Sequence, residues 1–264
     1  MKQHMLPIVI VIISCYVLIC LGLYVFQDYL IFFPRKLVYR SHEVVTNKEH
    51  EIKITVDNVI LHGWLLNKGK EKLIIYYGGN AEEVSANIQD MQAVKDCSVL
   101  LMNYRGYGMS EGKPGEKVMF SDALNVYDQI TSELRVPPEN IVLFGRSLGS
   151  GVAVYVASKR TVSKLILVTP FDSIRSVGQG RFLIFPVGLI LKHPFDSMRH
   201  AKDISSSSLI LMGGRDTIIP NDHSVNLANS WRGECKTVLI KQADHNDIHA
   251  YPEYWQAITE YLEQ

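Results

Sequence analysis

LFGRSLGSG, residues 143–151, decides how the rest of the chain is read. An arginine and a serine sit inside a glycine cluster, directly after the apolar run Ile141-Val142-Leu143-Phe144. Gly145-Arg146-Ser147-Leu148-Gly149 has the form G-x-S-x-G, in which a serine on a sharp strand-to-helix turn stands clear of a sheet. The bare pattern is weak, because glycine and serine are both common in this chain. Its surroundings add weight. A buried-strand run precedes it, and a helix-like stretch, GVAVYVASKR, follows from Gly151. Glycines beside the serine let neighbouring backbone approach closely. The amino terminus of the following helix offers N–H groups and a positive dipole end to a developing oxyanion. The competing reading is an ordinary glycine-rich connection between two core elements.

Outward from this turn, strand-like and helix-like segments alternate. Residues 52–56 and 59–66 read as an antiparallel pair. Residues 73–77, 99–103, 141–144, 165–168, 209–212 and 238–240 are short, apolar and β-branched, as expected of strands buried on both faces. Helical candidates lie between or after them, at 81–91, 118–134, 147–159, 222–231 and 253–263. This order predicts an α/β domain with a mostly parallel, eight-stranded sheet and helices on both faces. Functional groups in such sheets gather at the carboxyl ends of the strands. At about 171–202 the alternation breaks into a stretch with an apolar middle, read as a small helical cap over that edge. A surface helix packed away from any site is the other reading.

The start of the chain differs from the rest. Residues 7–26, PIVIVIISCYVLICLGLYVF, carry no charge. As a helix they would be about 30 Å long, enough to cross a bilayer core, so they read as one membrane-spanning anchor. A cleaved signal peptide is the alternative, but its apolar core is usually shorter and no small-x-small site follows here. Ile12-Ile13-Ser14-Cys15 loosely resembles a lipoprotein cleavage box, yet the residues after Cys15 stay apolar. Tyr29, Phe32 and Phe33 with Arg35, Lys36 and Arg40 suit an interfacial collar. The chain thus divides into anchor and collar, 1–34, and one domain, 35–264, large enough for a full core. The positive-inside rule, applied to Lys2 before the anchor and Arg35, Lys36 and Arg40 after it, points that domain to the cytoplasm, and the opposite orientation stays open as the alternative. Lys+Arg and Asp+Glu balance at 27 each, so no nucleic-acid partner is expected. Four cysteines without C-x-x-C or Cys/His spacing imply neither a metal site nor a disulfide framework. No cofactor and no protein partner is implied.

A serine hydroxyl needs a base to become a nucleophile. Of nine histidines, only His245 and His249 fall on the loop after the last strand candidate, where a Ser…Asp…His order places the base. His245, the nearer to that strand, is favoured. The base in turn needs a carboxylate to hold its tautomer. Asp216 follows the strand candidate at 209–212. Asp222 competes, but it looks like a helix start. A second oxyanion donor is expected after the third strand, in Tyr77-Gly78-Gly79-Asn80-Ala81. The backbone N–H of Asn80 is the candidate there, paired with that of Leu148.

Together these residues resemble the α/β-hydrolase superfamily. More narrowly, they are similar to the membrane-anchored serine hydrolases related to bud-emergence proteins and to the small α/β-hydrolase-domain proteins. The resemblance runs through the N-terminal anchor, FFPRK, GGNAEE at 78–83, NYRGYGMSEG at 103–112, GRSLGSG at 145–151, GGRDTIIP at 213–220 and DHND at 244–247. It implies an α/β-hydrolase fold with Ser147 as nucleophile, Asp216 as acid, His245 as base, and Asn80 and Leu148 as oxyanion donors. Many relatives carry a His-Gly pair in the oxyanion loop, and here Gly78 stands in the histidine's place. The expected activity is hydrolysis of ester or thioester bonds in lipid-like or acylated substrates. A serine peptidase and a non-catalytic binding protein with the same fold are the alternatives.

Overall fold

The computed structural model describes residues 2–38 and 46–264. Arg40 of the expected collar lies outside the described residues. Strands β1 (Glu51–Val56), β2 (Val59–Leu66), β3 (Lys72–Tyr77), β4 (Cys97–Met102), β5 (Ile141–Arg146), β6 (Lys164–Val168), β7 (Ser207–Gly213) and β8 (Cys235–Ile240) form one sheet. Their order is β1-β2-β4-β3-β5-β6-β7-β8. β2 runs antiparallel to β1 and β4, and every other pairing is parallel. Asp57 and Asn58 both take positive φ between β1 and β2. Aspartate and asparagine tolerate that region, and two such residues make the tight turn a hairpin favours.

The helices are α1 (Lys2–Ile31), α2 (Ile88–Gln92), α3 (Glu116–Leu134), α4 (Leu148–Ala157), α5 (Ile174–Arg181), α6 (Val187–Ile190), α7 (Ser197–Ala201), α8 (Asn221–Asn229) and α9 (Pro252–Glu263). Side chains alternate across each strand, so the sheet has an apolar layer on both faces. Ile75, Tyr77, Leu143 and Leu167 join Val126, Ile130, Val152 and Val156 on one side. Ile74, Tyr76, Phe144 and Val168 join Ile88, Tyr254, Ile258 and Tyr261 on the other. That two-sided burial explains why the central strands read as unbroken apolar runs.

Residues 81–91 do not form the single helix expected there. Ala81 takes a positive φ of 55°, a 3₁₀ turn covers Val84–Asn87, and only α2 is helical. Acidic side chains compete for the backbone here. Glu82 accepts from the Gly79 N–H, and Glu83 from the Ser85 N–H. Such local side-chain bonds give the chain an alternative to helix.

The 171–202 stretch folds into α5, α6 and α7 and packs against α1. The Tyr16 hydroxyl donates to the Ile184 carbonyl, and its ring stacks on Phe185. Gln27 donates to Ile190 O and accepts from Lys192 N. Phe32 belongs to the core rather than to an interfacial collar: it is 3% exposed and packs edge-on against His193 and Phe195. Tyr29 and Phe33 are exposed.

Candidate active site

β5 leads into Ser147, whose φ of 48° and ψ of −116° are strained for a side-chain-bearing residue. The surroundings hold the strain. Ser147 N donates to Val168 O at 2.9 Å, and Ser147 O accepts from both the N–H and the hydroxyl of Ser150. Close backbone contacts dictate the flanking glycines. A Cβ on Gly145 would stand 2.5 Å from Gly149 O, and one on Gly149 only 2.0 Å from Tyr77 O. The second contact seats the first turn of α4 on the loop after β3.

The loops after β7 and β8 are joined by Arg215 N donating to Ala243 O at 2.8 Å. They bring Asp216 and His245 to Ser147. His245 Nδ1 lies 2.7 Å from Asp216 Oδ2, and Nε2 lies 2.9 Å from Ser147 Oγ. An ionised carboxylate only accepts, so Nδ1 carries the proton and Nε2 is left to accept from the serine hydroxyl. The other Asp216 oxygen accepts from the N–H groups of Ile218 and Ile219 at 2.9 and 2.8 Å. The Asp216 side chain is 1% exposed and that of His245 7%, which shields the pair from water. His249, itself exposed, lies in the turn Ile248–Ala250, and Asp222 in the first turn of α8. The structure brings neither of them to Ser147.

Asn80 is pinned by its side chain. Oδ1 accepts from Tyr107 Oη at 2.8 Å, Phe33 N at 3.1 Å and Ala81 N at 3.0 Å. Nδ2 donates to Ile31 O at 2.5 Å. Burial pushes the Tyr107 hydroxyl up to about 12, against the pull of a backbone bond at Phe33, so it stays a donor at neutral pH. No acceptor among the described residues takes the backbone N–H of Asn80 or of Leu148. A Cβ on the adjacent Gly79 would sit 3.7 Å from Ser147 Cβ, so this loop faces the serine directly. Gly78, in the place where many relatives have histidine, is packed: its carbonyl accepts from the Tyr104 hydroxyl at 2.8 Å. A cavity of about 820 Å³ opens over Ser147 and His245. Gly79 and Asn80 line it, with Arg35, Lys36 and Val38 on its wall. No residue from 171 to 202 lines it.

Two residues at the site escaped sequence reasoning. Glu82 accepts from Gly79 N at 3.0 Å, Tyr76 Oη at 2.7 Å and Asn87 Nδ2 at 2.8 Å, and pairs with Arg146 Nη1 at 2.9 Å. Arg146 reaches the carbonyls of His245 and Asn246 at 3.5 Å. Burial opposes the charge on Arg146, but Glu82 and the neighbouring tyrosines outweigh it and hold the guanidinium above its usual range. The pair ties the loop after β3 to the serine turn and the histidine loop. The available signal was an arginine inside the glycine motif, in want of a buried partner.

A family profile for the alpha/beta hydrolase fold matches residues 59–186. An uncharacterized protein of Mycobacterium tuberculosis is 30% identical over 227 residues, covering 84% of this chain and 81% of its own. The chain belongs to the α/β-hydrolase superfamily. Another relative is alpha/beta hydrolase domain-containing protein 17C of Xenopus tropicalis, 28% identical over 63% of this chain and 53% of its own length. Among solved structures, the Pyrococcus furiosus esterase Pf2001 superposes on this α/β-hydrolase chain with a TM-score of 0.70. It shares 18% identity, over 88% of this chain and 98% of the esterase. At that identity the likeness speaks to the fold alone.

Proposed function

We propose that this chain is a serine hydrolase that cleaves ester or thioester bonds of lipid-like or acylated substrates while held to a membrane by its N-terminal helix. The continuous hydrogen-bonded line Ser147–His245–Asp216 on the floor of a cavity carries the reading. Ser147 Oγ attacks the carbonyl carbon as His245 Nε2 takes its proton. Asp216 Oδ2 stabilises the imidazolium through Nδ1. The negative charge on the carbonyl oxygen is met by the N–H groups of Asn80 and Leu148. His245 then protonates the leaving alcohol or thiol, leaving an acyl group on Ser147. Water, deprotonated by the same imidazole, attacks that acyl-enzyme and releases the acid. His245 then passes the proton taken from water to Ser147 Oγ as the second tetrahedral intermediate collapses, so the serine's original proton leaves with the alcohol or thiol and the site regains its starting protonation.

Placement of the cavity supports a lipid-like substrate. Arg35, Lys36 and Val38 stand on its wall only a few residues beyond the end of α1. The mouth therefore lies close to where that helix would leave a bilayer. The fold is shared with an esterase, so it is one that can carry ester chemistry. The test is labelling of the full-length protein by a fluorophosphonate, beside Ser147→Ala. We expect labelling and ester turnover in the wild type and neither in the variant. A folded wild type that takes no label would sink the proposal.

A further inference from the structure

Ten residues, 182–191 (FLIFPVGLIL), carry no charged or polar side chain and lie between Arg181 and Lys192. Most of this run is not used to build the core. Phe182 is 53% exposed, Leu183 80%, Ile184 74% and Leu189 86%. A contiguous apolar surface of this kind marks a place where something other than water belongs.

Its position along α1 says what that is. At one end, Gln27 bonds Ile190 O and Lys192 N, Lys192 Nζ lies 4.4 Å from the centre of the Tyr24 ring, and His193 pairs with Asp28. At the other, Tyr16 holds Ile184 and Phe185. From Gln27 back to Tyr16 is eleven positions, roughly 16 Å of helix at ~1.5 Å per residue. Polar contacts thus cluster where the uncharged stretch 7–26 ends. The apolar tip reaches about the middle of that stretch, and so about half the ~30 Å hydrocarbon thickness.

We propose that residues 182–191 are immersed in the lipid bilayer alongside α1, as a second membrane-embedded element entering from the side of the catalytic domain. This rests on reading residues 7–26 as a membrane anchor. Much of the backbone of the turn is bonded internally, which suits such an environment, where unpaired polar groups are costly. Phe182 N donates to Gly178 O, Phe185 N to Phe182 O, and Val187 N to Phe185 O. Gln179 takes up Phe185 O and Val187 N, and Tyr16 takes up Ile184 O. Arg181 and Lys192, one at each end, are long enough to carry their charges toward the headgroups.

The test uses the full chain in phosphatidylcholine vesicles, with the four native cysteines replaced by alanine. Single cysteines at Leu183, Leu189, Val9 and Lys236 each carry an environment-sensitive bimane. Nitroxides on the lipid chains and iodide in the water act as competing quenchers. We expect the Leu183 and Leu189 labels to shift to the blue, to be quenched by lipid nitroxide and to lose iodide quenching, as the Val9 label does. The Lys236 label should behave oppositely. Iodide quenching at Leu183 with a lipid-quenched Val9 overturns the immersion and leaves the anchor standing. Water-exposed Val9 overturns both. A Leu183 label shielded from both quenchers means a protein covers the patch, and also overturns the proposal. Amide exchange on the unmodified chain gives an independent readout should the cysteine-free protein fold poorly. Residues 182–185 should exchange slowly in vesicles, and rapid exchange there would count against immersion.

Discussion

The two oxygens of Glu82 meet four donors, one of them the guanidinium of Arg146, at the half-buried edge of the cavity. Removing one partner leaves the other charged and unpaired, and because both also line the cavity the cost should fall below that of a fully buried pair, to about 2 kcal/mol. Arg146→Met should therefore unfold at lower urea than wild type by roughly that amount, and adding Glu82→Gln should recover part of the loss. Purely additive single and double variants would mean that the pair is not coupled. At the neighbouring histidine, Asp216→Asn should keep the fold while turning the imidazole to the wrong tautomer. Turnover should fall about 10⁴-fold, as expected for this kind of change. A drop of only a few-fold would remove Asp216 from the proposed role. The convergence of Ser147, His245 and Asp216 was legible because each follows an apolar strand run at its carboxyl end. Glu82 was not, because what gives it meaning lies 64 residues further on, across the sheet.

Between elements, fit depends on single atoms. Gly149 brings α4 against the end of β3, and the 2.0 Å that a Cβ would leave to Tyr77 O cannot be relieved by a side-chain rotation. Gly149→Ala should displace the loop bearing Asn80, so soluble protein should be scarce and what folds should take up fluorophosphonate slowly. α3 meets the 171–202 segment through Glu116, whose carboxylate accepts from Phe195 N at 3.0 Å. Burial, outweighing that bond, pushes its pKa up to about 7. A raised carboxylate pKa favours the protonated folded state. The group's contribution is full at acid pH and is lost as pH climbs from the ordinary value of 4.5 through about 7. Since Glu116 is partly solvated, the effect should be on the order of 1 kcal/mol. Thermal unfolding of Glu116→Gln should gain on wild type between pH 5 and pH 8, and parallel curves would contradict this. Strands were readable because burial on both faces selects unbroken apolar runs. The 81–91 segment was misread because its helix-like composition hides two glutamates that bond the backbone instead.

Over the whole molecule, the mostly parallel sheet with two antiparallel leading strands could be anticipated. The exchange of β3 and β4 in the sheet order has no local signal. Nor does the seam at the end of α1, where Phe32 enters the core although its neighbours Tyr29 and Phe33 stay outside. Phe32→Ala should lower stability by about 3 kcal/mol, as for other buried aromatics, and an unchanged urea midpoint would show the seam to be loose. The same seam bears on chemistry, because the side chain that sets Asn80 is fastened to Ile31 O and Phe33 N. A cut between Phe33 and Arg35 would free the domain from its helix and, in the same stroke, untie the loop proposed to hold the oxyanion. The shed domain should turn over ester tens-fold more slowly, since a misplaced oxyanion donor costs up to about 10²–10³ in rate. Release by a protease would then turn the activity down: the hydrolase would work at full rate only while tethered.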